Sequence, residues 1–385
     1  MSTGVTAASG FEAVGIAAGI KASGAPDLAL VRNLGPQQTA AVVLTSNRIQ
    51  AAPVQWTRQA LADGVCTAVV LNSGGANACT GAEGFADTHH TAEKVAEVLD
   101  TSPGDVAVCS TGLIGIRLPM EPLLAGIETA ATRLSATGGA DAAAAIMTTD
   151  TVAKQAVVTR DGWTVGGMAK GAGMLAPGLA TMLVVLTTDA DLSAEQLDTA
   201  LRAATRVSFD RVDSDGCMST NDTVLLLASG ASGISPDPSD FTAALTELCL
   251  DLGMQLLADA EGAAHDIAVE VTGAATEDEA VDVARTITRS NLFKTAVFGN
   301  DPNWGRVLSA IGTTDAAFEP DRVDVSFNGV MVCRGGGIGE PRELVDLKPR
   351  QVHVLVDLHA GDASATVWTN DLTYDYVKEN AEYSS

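Results

Sequence analysis

Apolar residues along the chain fall into two patterns. Short runs of Val, Leu, Ile and Ala recur at 40–44, 67–71, 106–109, 181–187, 223–227, 267–271, 323–327 and 352–356. Most are β-branched and bounded by Gly, Asn, Asp or Pro, which predicts strands. Helical spacing lies between them. Ser193 followed by Gln196 is a capping-box pair, in which each side chain satisfies the other residue's backbone N–H, and it predicts a helix over 194–205. Over 240–260 the residues Phe241, Leu245, Leu248, Leu252 and Leu256 form one helical stripe, and 277–289 is a further helix candidate. Strands and helices alternate in both halves, with no short repeat and no low-complexity linker. The expectation is a mixed α/β fold.

One segment departs from both patterns. Lys170-Gly-Ala-Gly-Met-Leu-Ala-Pro-Gly-Leu-Ala180 consists mostly of small residues after a lone lysine, and it runs directly into the apolar stretch opened by Thr181. A threonine hydroxyl is a weak nucleophile until a base takes its proton. Were the bond between Ala180 and Thr181 cut, Thr181 would start a chain, and its α-amine, titrating near ~7.7–8.0, would be that base. Self-cleavage would use the same oxygen: the hydroxyl attacks the Ala180 carbonyl, and water hydrolyses the resulting ester. The small residues before Thr181 permit the bent backbone this requires. On local sequence alone the plainer account is that Thr181 merely opens a buried strand, because short patterns mislead easily.

Composition narrows the other classes. The chain has 385 residues, of which 46% are hydrophobic and only 4% aromatic, so a large core must rest on Ala, Val, Leu and Ile, in one large domain or two ordinary ones. A formal net charge of −25 repels phosphate backbones and argues against a nucleic-acid partner. The cysteines Cys66, Cys79, Cys109, Cys217, Cys249 and Cys333 form no C-x-x-C pair and are expected to be buried, reduced thiols. His89 and His90 are adjacent, but no metal-ligand spacing occurs, so no metal is expected. The N-terminus lacks a basic region and Glu12 interrupts its apolar run, so it does not read as a signal peptide. The longest apolar stretch, 171–186, is broken by Pro177 and glycines and is short for a bilayer span. A cytoplasmic protein without a membrane partner is expected. The Arg334-Gly-Gly-Gly-Ile-Gly stretch lacks the Lys and Ser/Thr of a phosphate loop and reads as a surface turn.

The stretch K-G-A-G-M-L-A-P-G-L-A-T-M-L, from Lys170 to Leu183, resembles the self-cleavage signature of the ornithine acetyltransferases, or glutamate N-acetyltransferases, of arginine biosynthesis. Further segments resemble the same family in the same order: L-N-S-G-G-A-N-A-C-T-G from Leu71, S-T-G-L-I-G from Ser110, I-M-T-T-D-T from Ile146, D-A-E-G from Asp259, K-T-A-V-F-G-N-D-P-N-W-G-R from Lys294, and N-A-E-Y-S-S from Asn380. Together they cover nearly the whole chain. Asn72-Ser-Gly-Gly-Ala-Asn departs slightly, carrying Gly where family members often have a second Asn.

The resemblance implies a mixed α/β sandwich with helices flanking stacked β-sheets, similar to the aminopeptidase relatives of the family, and N-terminal-nucleophile chemistry. It implies cleavage into an alpha chain, 1–180, and a beta chain, 181–385, assembled as α2β2. N-acetylornithine would acetylate Thr181 and release ornithine, and glutamate would then carry the acetyl group away as N-acetylglutamate. Thr111 and Gly112 match the family's oxyanion site, while Thr148, Lys170, Thr181, Glu261, Asn380 and Ser385 match its substrate contacts. Lys170 suits an α-carboxylate, and Glu261 suits the side-chain ammonium of ornithine. Asn380 and Ser385 require a docked C-terminus. No cofactor is implied; acetyl-CoA is a co-substrate for some family members only. Asp301-Pro-Asn-Trp-Gly-Arg306 also resembles a family motif; Pro302 and Trp304 read as a rigid, packed turn, Arg306 is a candidate anion contact, and no catalytic role is assigned to the motif. Two other readings stay open at this stage. One is a self-processing aminopeptidase or amidase of the same scaffold, which passes its acyl group to water. The other is a small-ligand-binding α/β protein that never cuts itself.

Overall fold

The computed structural model describes residues 3–176 and 182–382. The chain forms two compact units. The first comprises Met1–Met174, Gly178–Asp210 and Met218–Leu256, and the second comprises Leu175–Pro177, Arg211–Cys217 and Leu257–Ser385.

Among its described residues, the first unit contains strands β1 (Phe11–Ile16), β2 (Leu28–Asn33), β3 (Thr39–Leu44), β4 (Ala68–Ser73), β5 (Val106–Thr111), β6 (Lys154–Arg160), β7 (Trp163–Lys170), β8 (Leu183–Thr188) and β9 (Thr223–Ala228). Its helices are α1 (Ala52–Ala60), α2 (Gly81–Leu99), α3 (Met120–Ala131), α4 (Gly139–Ala145), α5 (Ala194–Val207) and α6 (Pro238–Ala258). The strands form two sheets, ordered β1-β2-β4-β5 and β3-β9-β8-β7-β6. The pairs β4–β5 and β8–β9 are parallel, and the other neighbours are antiparallel.

Alternation of side chains along each strand explains the layering. β4 sends Ala68 and Val70 to one face, where they pack with Ala92, Val95 and Leu99 of α2 and with Leu123 and Ile127 of α3. It sends Val69 and Leu71 to the other face, where they meet Met168, Leu183, Val185, Leu225 and Leu227 of the second sheet. Strands covered on both faces read as continuous apolar runs, which is why 67–71, 181–187 and 223–227 stood out in the sequence. On the far side of the second sheet lies α6. Its Phe241 ring is 5.6 Å from that of Trp163, and a Cβ on Gly167 would stand 3.1 Å from Leu252. α6 is the one helix among the described residues long and apolar enough to cross a bilayer, yet its stripe of Phe241, Leu245, Leu248, Leu252 and Leu256 is buried in this core. The first unit is thus helices, sheet, sheet, helices, the sandwich that the family resemblance implies.

The second unit has one sheet, ordered β13-β12-β11-β14-β10-β15, from β10 (Asp266–Ala274), β11 (Asp324–Phe327), β12 (Val330–Arg334), β13 (Gly337–Ile338), β14 (Gln351–Asp357) and β15 (Ala363–Asn370). The helices are α7 (Glu277–Thr288), α8 (Asn291–Phe298), α9 (Trp304–Ile311) and α10 (Tyr374–Glu382). Ile267, Val269 and Val271 of β10 share a core with Val283, Ile287, Phe293 and Val307 of α7, α8 and α9. Gly335 and Gly336, at φ +55° and +68°, make the two-residue turn between β12 and β13, so the glycine run is a hairpin turn as read.

Two expectations need correction, for Lys170 and for the cysteines. Lys170 belongs to no loop: it is the last residue of β7, paired with Leu183 of β8. The candidate anion contact Arg306 is engaged within the fold. Its guanidinium donates to the Leu292 carbonyl and to Thr295 Oγ1, tying α9 to α8, while the Asn303 side chain caps α9 by accepting from Arg306 N at 3.2 Å. Cys79 and Cys217 are exposed, although all six thiols are free and the other four are buried.

The capping box of α5 is present in full: Gln196 N donates to Ser193 Oγ at 3.3 Å, and Ser193 N donates to Gln196 Oε1 at 2.9 Å. Ser193→Ala is expected to destabilise the protein by about 1 kcal/mol. Urea unfolding with an unchanged midpoint would count against this account of the helix start.

Candidate active site

Two parallel strands end side by side in the first unit, β4 at Ser73 and β5 at Thr111. The turn after β4 folds back, so that Gly74 N and Gly75 N both donate to the Thr111 carbonyl at 3.0 Å. This close approach dictates the next residue. Gly112 has φ +135°, and a Cβ there would lie 2.6 Å from Gly75 N, so no other residue fits without displacing backbone. Among the described residues nothing accepts from the Gly112 N–H. A buried polar lattice fixes the floor. Ser110 Oγ donates to Asn72 Oδ1 at 2.6 Å, Asn72 Nδ2 to the Gly75 carbonyl at 3.0 Å, and Asn221 Nδ2 to the carbonyls of Ala76 and Ser110 at 2.6 and 2.8 Å. Gly75 is therefore held against Thr111 and Gly112.

Lys170 reaches this point from the end of β7. Its side chain is 2% exposed, and Nζ donates to Thr148 Oγ1 at 2.7 Å and to Thr111 Oγ1 at 3.4 Å. Asp150 stands 3.8 Å from the same ammonium. The Asp150 carboxylate is fully buried and accepts from Lys154 Nζ at 2.7 Å, Gly171 N at 2.6 Å and Thr148 N at 3.0 Å. Burial alone would raise its pKa. The charges of Lys170 and Lys154, with the hydrogen bonds from Lys154 and Thr148 N, outweigh that and bring it down to about 2.

The far side of the junction is held too. Met182 N donates to Asp222 Oδ1 at 3.2 Å, and Thr223 N donates to the Met182 carbonyl at 3.2 Å. Ala180 and Thr181, between Lys170 and these anchors in sequence, lie outside the described residues, as does Ser385.

In the second unit Asn380, on α10, donates through Nδ2 to Glu261 Oε2 and to the Tyr376 carbonyl, each at 3.0 Å. α10 abuts Gly262, where a Cβ would lie 2.1 Å from Tyr376 N, and Thr373 Oγ1 donates to the Gly262 carbonyl at 2.6 Å. The C-terminal helix is therefore docked on the D-A-E-G segment. The structure thus gathers the sequence-predicted residues into two sets: Thr111, Gly112, Thr148 and Lys170 in the first unit, Glu261 and Asn380 in the second. Three polar residues of the first set went unread in the sequence. Asp150 sat inside the I-M-T-T-D-T match, and Lys154 follows it at helical spacing; Asp222 carried no motif.

The ArgJ family model matches residues 12–385 of the chain. The arginine biosynthesis bifunctional protein ArgJ of Streptomyces coelicolor is 71% identical over 381 residues, covering 99% of this chain and 100% of that protein. Its counterpart in Streptomyces avermitilis is 68% identical with the same coverage. Among solved structures, ornithine acetyltransferase complexed with ornithine from Mycobacterium tuberculosis is 58% identical and covers 47% of this chain and 96% of that chain, with a TM-score of 0.45.

The cluster around Asp150 generates a stability prediction. Its folded-state pKa of about 2 lies below the ordinary ~3.9, so it stabilises the fold above about pH 4, and that contribution is lost as the pH falls from there toward 2. The contribution is on the order of 2 kcal/mol. Asp150→Asn removes the charge that Asp150 presents to two buried ammonium groups and is expected to cost about 3–5 kcal/mol at neutral pH. Its unfolding free energy should fall less steeply between pH 4 and 2 than that of the wild type. Parallel acid profiles for the two proteins would contradict the assignment.

Proposed function

The chain belongs to the ArgJ family, and from that premise we infer that it is an ornithine acetyltransferase of arginine biosynthesis whose nucleophile is made by cutting its own backbone. As an acyltransferase it takes the acetyl group of N-acetylornithine and delivers it to glutamate. In this reading the bond between Ala180 and Thr181 is cut, and the Thr181 hydroxyl, with its new α-amine as base, carries the acetyl group between the two half-reactions. Thr111, through its hydroxyl, and Gly112, through its N–H, stabilise the oxyanion of each tetrahedral intermediate. Thr148, Lys170, Glu261, Asn380 and Ser385 bind the amino-acid substrates, Lys170 toward the carboxylate. No cofactor is needed. The name "bifunctional" borne by the relatives fits acetyl-CoA as a second acetyl donor to glutamate.

The observation that carries this reading is the convergence of Thr111, Gly112, Thr148 and Lys170 at the end of β7, where Lys170 pairs with Leu183, two residues beyond Thr181. The second sheet also suits a chain that survives its own cut. Its order interleaves strands from both sides of the junction: β3, β6 and β7 before it, β8 and β9 after it. Residues 1–180 and 181–385 would remain joined through the β7–β8 and β3–β9 ladders, and two such pairs would make the α2β2 assembly. The free thiols fit a reducing, cytoplasmic compartment.

Intact mass spectrometry of the purified protein tests this. Two polypeptides divided before Thr181 are expected, eluting together until denatured, and the later fragment should gain one acetyl group on adding N-acetylornithine and lose it on adding glutamate. Thr181→Ala should remain one chain without transfer activity, whereas Thr181→Ser should still cut. An active, unbroken wild-type chain would exclude the proposal. Acetate release at the same rate with or without glutamate would favour the hydrolase reading instead.

A further inference from the structure

α10 buries none of its nine residues, so burial does little to hold it on the second unit. A helix this short is marginal on its own. What fixes it is the stretch just before it. The Thr373 hydroxyl is buried and makes two hydrogen bonds. It accepts from Tyr376 N at 3.0 Å, which caps the helix start, and it donates to the Gly262 carbonyl at 2.6 Å. Two residues earlier, Asp371 Oδ1 accepts from Ala264 N at 3.0 Å and from His265 N at 2.9 Å, and Oδ2 meets the His265 ring at Nδ1, 2.6 Å away. The backbone from Gly262 to His265, directly after Glu261, is thus bonded to the segment that opens α10. The Tyr374 ring meets Phe298 edge-on at 5.5 Å and steadies the same end of the helix. Asn380 lies about two turns further along and donates to Glu261 Oε2 at 3.0 Å.

We propose that Thr373 is a positioning residue for the amino-acid substrate, holding Asn380 beside Glu261 through the one hydroxyl that both caps α10 and grips the Glu261 segment. The proposal rests on the reading that Glu261 and Asn380 bind that substrate. Neither side chain is buried, and an exposed glutamate left to itself samples several rotamers. Holding it in one direction before the substrate arrives removes that ordering cost from binding. The Asn380 bond does this only while α10 is docked. It occupies Oε2 and leaves Oε1, which accepts no hydrogen bond among the described residues, for the side-chain ammonium of ornithine. Without the Thr373 hydroxyl the helix start loses its cap and its tie to Gly262 together, Asn380 is no longer held, and Glu261 turns freely. Thr373 touches no reacting atom in this arrangement, so its effect falls on substrate binding and not on acetyl transfer.

The test compares full-length Thr373→Val, an isostere without the hydroxyl, with Thr373→Ser, which keeps it. Thr373→Val is expected to raise the KM for N-acetylornithine about tenfold, the size of one lost hydrogen bond, with kcat little changed. Its preference for N-acetylornithine over N-acetylnorvaline, which lacks the side-chain amine, should fall in step, because only the cationic substrate uses Glu261. Thr373→Ser should match the wild type in KM, kcat and preference. A valine variant that melts earlier but keeps the wild-type KM and preference, or that loses kcat at unchanged KM, overturns the proposal, as does a serine variant that behaves like the valine one. Should Thr373→Val not fold, hydrogen exchange of the wild type decides. Ornithine at about ten times its Kd should slow exchange over residues 374–382 about tenfold, and exchange that ornithine leaves unchanged overturns the proposal. Glu261→Gln separates the two ways of failing: if it too leaves KM and preference unaltered, the reading of Glu261 as a substrate contact falls and the proposal with it, whereas a raised KM there beside an unaltered Thr373→Val sinks the role of Thr373 alone.

Discussion

The pairing of β7 with β8 is the constraint on which the site depends. Residue by residue, from Val165 against Thr188 to Lys170 against Leu183, the ladder sets the last residue before the junction beside the first strand residue after it. An antiparallel pair can be joined by a two-residue turn, yet here residues 171–182 intervene. The register is therefore not imposed by a tight connection. It is imposed by burial: Met168 and Val185, cross-strand partners, face the first sheet together, and a slip of one residue would turn both away from that core. A ladder that does not need its connection to hold register also does not need that connection to be intact.

The charges gathered at the end of this ladder are not explained by stability. Asp150, Lys154 and Lys170 have side chains 0–2% exposed, and well-packed apolar residues in place of a buried ion cluster are often neutral or stabilising. What the cluster does is geometric. One carboxylate receives the N–H groups of Thr148 and Gly171 as well as the Lys154 ammonium, and it lies beside the Lys170 ammonium. The backbone leaving β7 and the segment that carries the Thr148 hydroxyl are thereby tied to a single group. Lys170, with its long flexible stem, is confined to the direction in which Thr148 and Thr111 present their oxygens.

Legibility in the sequence followed the same physics. Strands buried on both faces, such as β4, β5, β8 and β9, announce themselves as unbroken apolar runs. β7 did not, because Gly166 and Gly167 interrupt it, and the reason for those glycines is tertiary: a Cβ on Gly166 would stand 2.1 Å from the Gly4 carbonyl oxygen. β6 was hidden by outward-facing Val157, Thr159 and Arg160. At the site, Thr111, Gly112, Thr148 and Lys170 were legible through motifs of local sequence. Asp222 was not, because its partner is the backbone of Met182, 40 residues away, and a long-range contact to a main-chain N–H leaves no trace in side-chain pattern. Thr181 shows the opposite limit. Its chemistry is readable from residue type, but its local pattern is equally that of a strand start, so residue type alone does not separate the two.

The two buried aspartates near Lys170 complete the logic. Asp150 is crowded by two ammonium groups and backbone donors and stays ionised far into the acid range; burial pushes Asp222 well above the usual carboxylate range, against the Met182 N–H, the Ser219 groups and the Lys170 charge. Lys170 acts on both, but Lys154 adds a second ammonium at Asp150 alone, and there charge outweighs burial, whereas at Asp222 burial prevails. Titratable groups whose pKa values are driven apart in one place are a mark of divided acid and base roles. Here Asp150 orients the lysine on the β7 side of the junction, and Asp222 accepts the Met182 N–H on the β8 side.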